Sequence, residues 1–66
     1  MQVYNDVLLV VLEPERSTGA ETRYRFRTRF DLNQFIRATA GLRDRDAIDI
    51  ARRFVSTGRA CPDHLA

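Results

Sequence analysis

From Thr22 to Phe30 the chain reads Thr-Arg-Tyr-Arg-Phe-Arg-Thr-Arg-Phe, so that Arg23, Arg25, Arg27 and Arg29 alternate strictly with Tyr24, Phe26, Thr28 and Phe30. A period of two is that of a β-strand, in which successive side chains point to opposite faces. The segment therefore predicts a strand with an aromatic face for a core and a face lined by four guanidinium groups. In sheet-based single-strand binders, rings on a strand stack against bases. Here the only other large rings are Tyr4, Phe35 and Phe54, and a small core needs Tyr24, Phe26 and Phe30.

The segments around this strand predict the rest of the fold. Residues 2–13 hold Val3, Tyr4 and the run Val7-Leu8-Leu9-Val10-Val11-Leu12, which reads as a first strand, apolar on both faces. Residues 14–20, Pro-Glu-Arg-Ser-Thr-Gly-Ala, have the chemistry of a loop and make the pair a hairpin. After Phe30, Asp31 is placed to cap a helix over Leu32–Ala40, with Gln34 as capping-box partner and Phe30 and Phe35 at the staple positions. Gly41 then suits a helix end. Asp44 or Asp46 is placed to cap a second helix, whose Ala47, Ile48, Ala51, Phe54 and Val55 form one apolar stripe before Gly58.

The expectation is an α+β domain over residues 1–58, a two-stranded antiparallel hairpin followed by two short helices packed on one sheet face (ββαα), with 59–66 as a loosely ordered tail. With 66 residues, a single core gives only a few kcal/mol of stability, and dimerisation is the expected help. One cysteine (Cys61) and one histidine (His64) allow neither an intrachain disulfide nor a zinc site, so a reducing setting is expected and no metal or cofactor. No basic segment precedes the apolar run, and that run is too short to span a bilayer, so the expected location is the cytoplasm.

Chemistry for an enzyme is missing as well. The sequence has no glycine-rich phosphate loop and no nucleophile–base constellation, and no catalytic residue is assigned. The net charge is only +2, so its distribution matters more than its total. All 11 positive side chains are arginine. A GC-rich genome alone would explain that, yet arginine's planar fork also suits phosphate and carboxylate better than lysine does.

In the expected hairpin the arginines share their face with either Val7, Leu9 and Val11 or Leu8, Val10 and Leu12, a register the apolar run leaves open. Either choice makes a face that is half aliphatic and half cationic. A second copy, a polyanion or an acidic apolar groove of another protein would cover it. Arginines two apart on a strand stand roughly 6.7 Å apart, close to the spacing of phosphates along a nucleic-acid strand. Arg43, Arg45, Arg52, Arg53 and Arg59 add charge on and around the second helix, interleaved with Asp44, Asp46 and Asp49. The candidate binding set is Arg23, Arg25, Arg27, Arg29, Arg52 and Arg53.

Residues 23–58, with Gly41-Leu42 followed by Ala47-Ile48-Asp49-Ile50-Ala51, resemble the ribbon-helix-helix DNA-binding regulators. The resemblance implies a dimer whose basic strands pair into one ribbon, with Arg23, Arg25, Arg27 and Arg29 reading guanines in the major groove. The first helix is shorter than that family's, and the apolar strand before the basic one competes for the edge the ribbon needs. The functional expectation is a small non-enzymatic protein that binds a polyanion, foremost nucleic acid. Its alternative is a phage or mobile-element inhibitor, similar to some anti-CRISPR proteins, that docks on an acidic surface of a host complex.

Overall fold

The computed structural model describes residues 1–15 and 19–63. The apolar amino-terminal segment is two strands rather than one. β1 (Gln2–Tyr4) runs into a single turn of 3₁₀ helix at Asn5–Val7, and β2 (Leu9–Glu15) returns antiparallel, pairing Val3 with Val10 and Tyr4 with Leu9. Asn5 and Asp6 disfavour a strand and stabilise turns through their short polar side chains. The reversal closes at Leu8, whose φ of 56° is in the left-handed region, and its amide donates to the Asn5 carbonyl at 3.4 Å. A branched residue is strained there, and the half-buried Leu8 packs against the core instead of reaching water.

β3 (Ala20–Phe26) pairs with β2 as Val10 with Tyr24 and Val11 with Arg23, and the register shifts between Leu12 and Glu15. Pro14, which has no amide to give to the ladder, lies in that irregular stretch. The alternation of arginine and aromatic residues extends to Phe30, but the strand does not. Thr28 caps a helix, accepting the Asp31 amide on its hydroxyl at 3.1 Å, and α1 runs over Arg29–Ala38. Asp31 is thus the third helical residue, not the cap, and the helix starts three residues before Leu32. Arg27 falls in the bend and Arg29 in the first helical turn.

α2 (Asp44–Ser56) ends in a Schellman motif: the Arg59 amide donates to Phe54 O at 2.8 Å and the Gly58 amide to Val55 O at 3.0 Å, with Gly58 at φ 75°. That turn sends the chain back to the sheet. β4 (Ala60–Pro62) pairs with the free edge of β3, as Phe26 with Ala60, Arg25 with Cys61 and Tyr24 with Pro62. Pro62 is tolerated because β4 is an edge strand, where a missing amide breaks no second ladder. The sheet is therefore four-stranded and antiparallel in the order β1-β2-β3-β4, and the expected two-stranded ββαα hairpin is corrected on both sides. Residues 60–62, expected in a loose tail, belong to this sheet; His64 lies outside the described residues.

Both helices pack on one face of the sheet. Phe26 from β3, Phe35 from α1 and Phe54 from α2 meet with ring centroids 4.9, 5.6 and 5.7 Å apart, the two contacts of Phe54 edge-on, a geometry aromatic quadrupoles favour. Val10, Leu12, Tyr24, Leu32, Ala47 and Ala51 complete the core. The expected stripe of α2 holds, with Ala47, Ala51 and Phe54 buried and Ile48 and Val55 half-buried. Neither Asp44 nor Asp46 caps α2 with its side chain. Asp44 instead accepts the Met1 ammonium at 3.0 Å and the Glu13 amide at 2.9 Å, tying the start of α2 to β1 and β2.

Candidate nucleic-acid interface

The register fixes which side chains share the face turned away from the helices. Tyr4, Leu9, Arg25 and Cys61 stand in one row across the four strands, and Gln2, Val11 and Arg23 in the next, with Asp63 at its end, its backbone N–H donating to Arg23 O at 2.8 Å. Leu9 and Val11 are the aliphatic neighbours of the arginines, and both are buried, 5% and 4% exposed, although no helix lies over them. Tyr4 and Gln2 flank them on one side and Arg23 and Arg25 on the other, long side chains whose apolar parts suit such a strip. The face is therefore not the half-aliphatic, half-cationic surface in need of an outside cover that is expected of the hairpin. Its greasy centre is closed from within the chain.

The four arginines of the alternating segment end up in three settings. Arg23 is the most enclosed: its side chain is 25% exposed, its Nε lies 3.7 Å from Asp63 Oδ2, and that buried Nε makes no hydrogen bond. Arg25 shares the same carboxylate, with Nε 3.5 Å from Asp63 Oδ1, and its Nη1 donates to Val7 O at 3.0 Å. Arg29 reaches the same 3₁₀ turn from the start of α1, its Nη2 donating to Asn5 O at 3.4 Å. Between them Arg27 is exposed and makes no side-chain hydrogen bond or ion pair among the described residues. Arg25 and Arg29 thus meet at one corner, where the end of β3, the β1–β2 turn and the start of α1 come together, and Arg27 lies between them in the chain.

Each pinned guanidinium spends one donor of Nη on a main-chain carbonyl, and a guanidinium has five N–H donors. Arg25 also turns its Nε to Asp63, so the donors left to it are on its Nη atoms, while the side chain is held in place. That arrangement lowers the entropy cost of binding an anion. Large apolar side chains are exposed on these same segments: Tyr4 (48%) and Val7 (46%) at the 3₁₀ turn, and Phe30 (66%), next to Arg29 in the first turn of α1. Tyr24 and Phe26 are core, as expected, but Phe30 is not. With Thr28 as the cap, Phe30 is the second helical residue, about half a turn around the helix from Leu32.

The other cations do different work. Arg59 crosses the core's rim, its guanidinium 4.3 Å from the centre of the Phe54 ring and its Nε 2.7 Å from Asp31 Oδ1. The hydrogen bond from Arg59 holds the Asp31 carboxyl below the ordinary aspartate range, helped by the one from Thr28 and by the charge of Arg27. Arg52 and Arg53 lie on the outer side of α2, Arg52 4.0 Å from Asp49 with both side chains 70% exposed. No hydrogen bond or ion pair among the described residues joins them to the corner.

Other features offer less. A shallow cleft of about 640 Å³ between the end of β2 and the start of α2 is lined by Glu13, Pro14, Glu15, Leu42, Arg43, Asp44 and Arg45, charges of both signs without a focus. Among the described residues no group of His, Cys, Asp and Glu is placed to hold a metal ion, and no helix is long and apolar enough to cross a membrane. Cys61 is exposed, with Sγ 3.8 Å from Arg25 O. Comparison with protein-family models, with curated proteins and with solved structures finds no match.

Sequence reasoning missed Tyr4, Val7 and Asp63 as members of this surface. Asn5-Asp6 was the signal for the turn that exposes Tyr4 and Val7. Thr28-x-x-Asp31 was the signal for the early helix start. Asp63 carried no local cue, since only the pairing of β4 brings it beside Arg23 and Arg25.

Proposed function

We propose that the protein is a small non-enzymatic binding module that engages a polyanion, nucleic acid, through Arg25, Arg27 and Arg29, with Arg23 at the margin of the contact. The observation that carries this reading is the corner itself: two guanidinium groups held on carbonyls of one 3₁₀ turn, with an exposed third between them in the chain that makes no side-chain hydrogen bond or ion pair among the described residues. Pinned arginines with unspent donors suit phosphate oxygens, which accept forked hydrogen bonds. The ribbon expected from the regulator-like resemblance has no place in the proposal. β3 pairs with β2 on one edge and β4 on the other, leaving no edge for a symmetry mate.

One observation favours a second reading, the protein-directed inhibitor. Exposed Tyr4, Val7 and Phe30 beside arginines have the composition of an interface hot spot, and an acidic surface of a host protein would satisfy both. Salt separates the two. On nucleic acid, each phosphate contact adds about 0.7 to 0.9 to the slope of log affinity against log salt, so three arginines predict a slope near −2 to −3. The test is anisotropy of labelled oligonucleotides titrated with the protein between about 50 and about 200 mM salt. Binding that ignored salt, or no binding beside tight capture of one host protein, would transfer the corner to the second reading.

A further inference from the structure

We infer that the ligand of this corner is an unpaired strand rather than a duplex, with Phe30 and Tyr4 as the rings on which its bases stack; the inference rests on the nucleic-acid reading of Arg25, Arg27 and Arg29. The first ground is exposure. The chain has four phenylalanines, of which Phe26, Phe35 and Phe54 form the core cluster, while Phe30 is 66% exposed on the first turn of α1, next to Arg29. Tyr4 is 48% exposed at the end of β1, just before the 3₁₀ turn that Arg25 and Arg29 bond to, and stands in the row of Arg25. Its hydroxyl donates to Gln2 Oε1 at 2.9 Å, which restrains the ring.

The second ground is the number of cations. Duplex binders gain their affinity from roughly six to ten phosphate contacts spread along two backbones. The corner has three arginines within five residues, and the sheet face beyond them already holds the Asp63 carboxylate between Arg23 and Arg25. A short path of phosphates fits that, a duplex backbone does not. What the missing phosphate contacts would have supplied, stacking can supply: one base on one ring is worth roughly tenfold to a hundredfold in affinity, and paired, stacked bases inside a duplex cannot provide it. An exposed ring next to Arg29 in the chain and another in the row of Arg25 supply the two elements, aromatic and basic, by which single strands are held.

The test compares labelled single-stranded oligothymidylate with a mixed-sequence duplex on the full chain, for the unchanged protein and for Phe30→Ala, Tyr4→Ala and Phe30→Trp. The single strand is expected to bind at least roughly tenfold more tightly than the duplex. Phe30→Ala should lose roughly tenfold on the single strand with its salt slope unchanged, because stacking releases no counterions. The chain lacks tryptophan, so Phe30→Trp places a single indole reporter at the site, whose fluorescence should be quenched as a base covers it. Tighter binding to the duplex, or binding that Phe30→Ala and Tyr4→Ala leave unchanged with an unquenched Phe30→Trp, would overturn the inference while the nucleic-acid reading stood. Absence of binding to either oligonucleotide would remove the reading and the inference together.

Discussion

Replacing Phe35 with alanine is expected to leave the chain unfolded at room temperature. Phe35 is fully buried and is the residue through which α1 joins the other layers, touching Phe26 of β3 at 4.9 Å and Phe54 of α2 at 5.7 Å. Truncating a buried phenylalanine costs about 3 to 5 kcal/mol through lost transfer energy and the cavity left behind. At about 0.05 to 0.15 kcal/mol per residue a chain of 66 residues has roughly 3 to 10 kcal/mol in all, and a single core of this size rarely supplies more than about 3 to 5, which the truncation cancels. A core this small has no second aromatic cluster to fall back on. Urea titration followed by circular dichroism should show a cooperative transition for the unchanged protein and its loss in Phe35→Ala. By contrast Phe30→Ala, at a residue 66% exposed, should move the midpoint little, within about 0.5 kcal/mol. A Phe35→Ala variant as stable as the Phe30→Ala one would contradict the assignment of the core.

The largest effect on binding is expected from Arg25→Glu with Arg27→Glu. A hydrogen bond to a charged group is worth about 1.5 to 3 kcal/mol, so two lost contacts alone remove at least roughly a hundredfold, and the new carboxylates repel phosphate as well. Arg25 also donates to Val7 O at 3.0 Å and pairs with Asp63, so its replacement disturbs the β1–β2 turn. Arg27→Glu alone answers that concern. Its side chain makes no hydrogen bond or ion pair among the described residues, and Arg27→Glu should still lose more than tenfold while moving the urea midpoint by no more than about 0.5 kcal/mol. Arg52→Glu with Arg53→Glu changes the net charge by the same amount on α2 and should cost no more than a fewfold, the long-range part that salt screens. Equal losses from both pairs, measured by anisotropy at about 0.1 M salt, would mean that net charge rather than the corner governs affinity.

How much of this was legible in the sequence depended on whether neighbours or distant partners decided each element. The stripe of α2 was readable because its positions, Ala47, Ala51 and Phe54, repeat at helical spacing and face a core whichever way the rest folds. The aromatic face of Tyr24 and Phe26 was readable for the same reason with a period of two. The alternation overreached at Thr28, where a capping hydroxyl three residues before Asp31 competes locally and wins over a pattern that has no hydrogen-bonding partner past Phe26 on β2. In the run from Val7 to Leu12 every position is apolar, so neither the break at Asn5 nor the choice of Leu9 and Val11 for the outer face follows from periodicity. β4 was invisible because Ala60, Cys61 and Pro62 have little strand propensity; their place comes from the Gly58 turn and the vacant edge of β3. The candidate surface inherited these limits. Arg25 was legible as an outward residue, whereas its grouping with Arg29 and Tyr4 depended on a turn the aliphatic run concealed.

The most direct test of the arginine corner is a ¹H–¹⁵N correlation titration of the labelled protein with an unlabelled oligonucleotide, including the arginine Nε–H signals. Binding at the corner predicts that shifts concentrate at Tyr4–Val7 and Arg25–Phe30, with Arg25, Arg27 and Arg29 Nε–H moving and Asp49–Arg53 unmoved. Shifts centred on Arg52 and Arg53 of α2, or a spectrum that does not change at all, would contradict it.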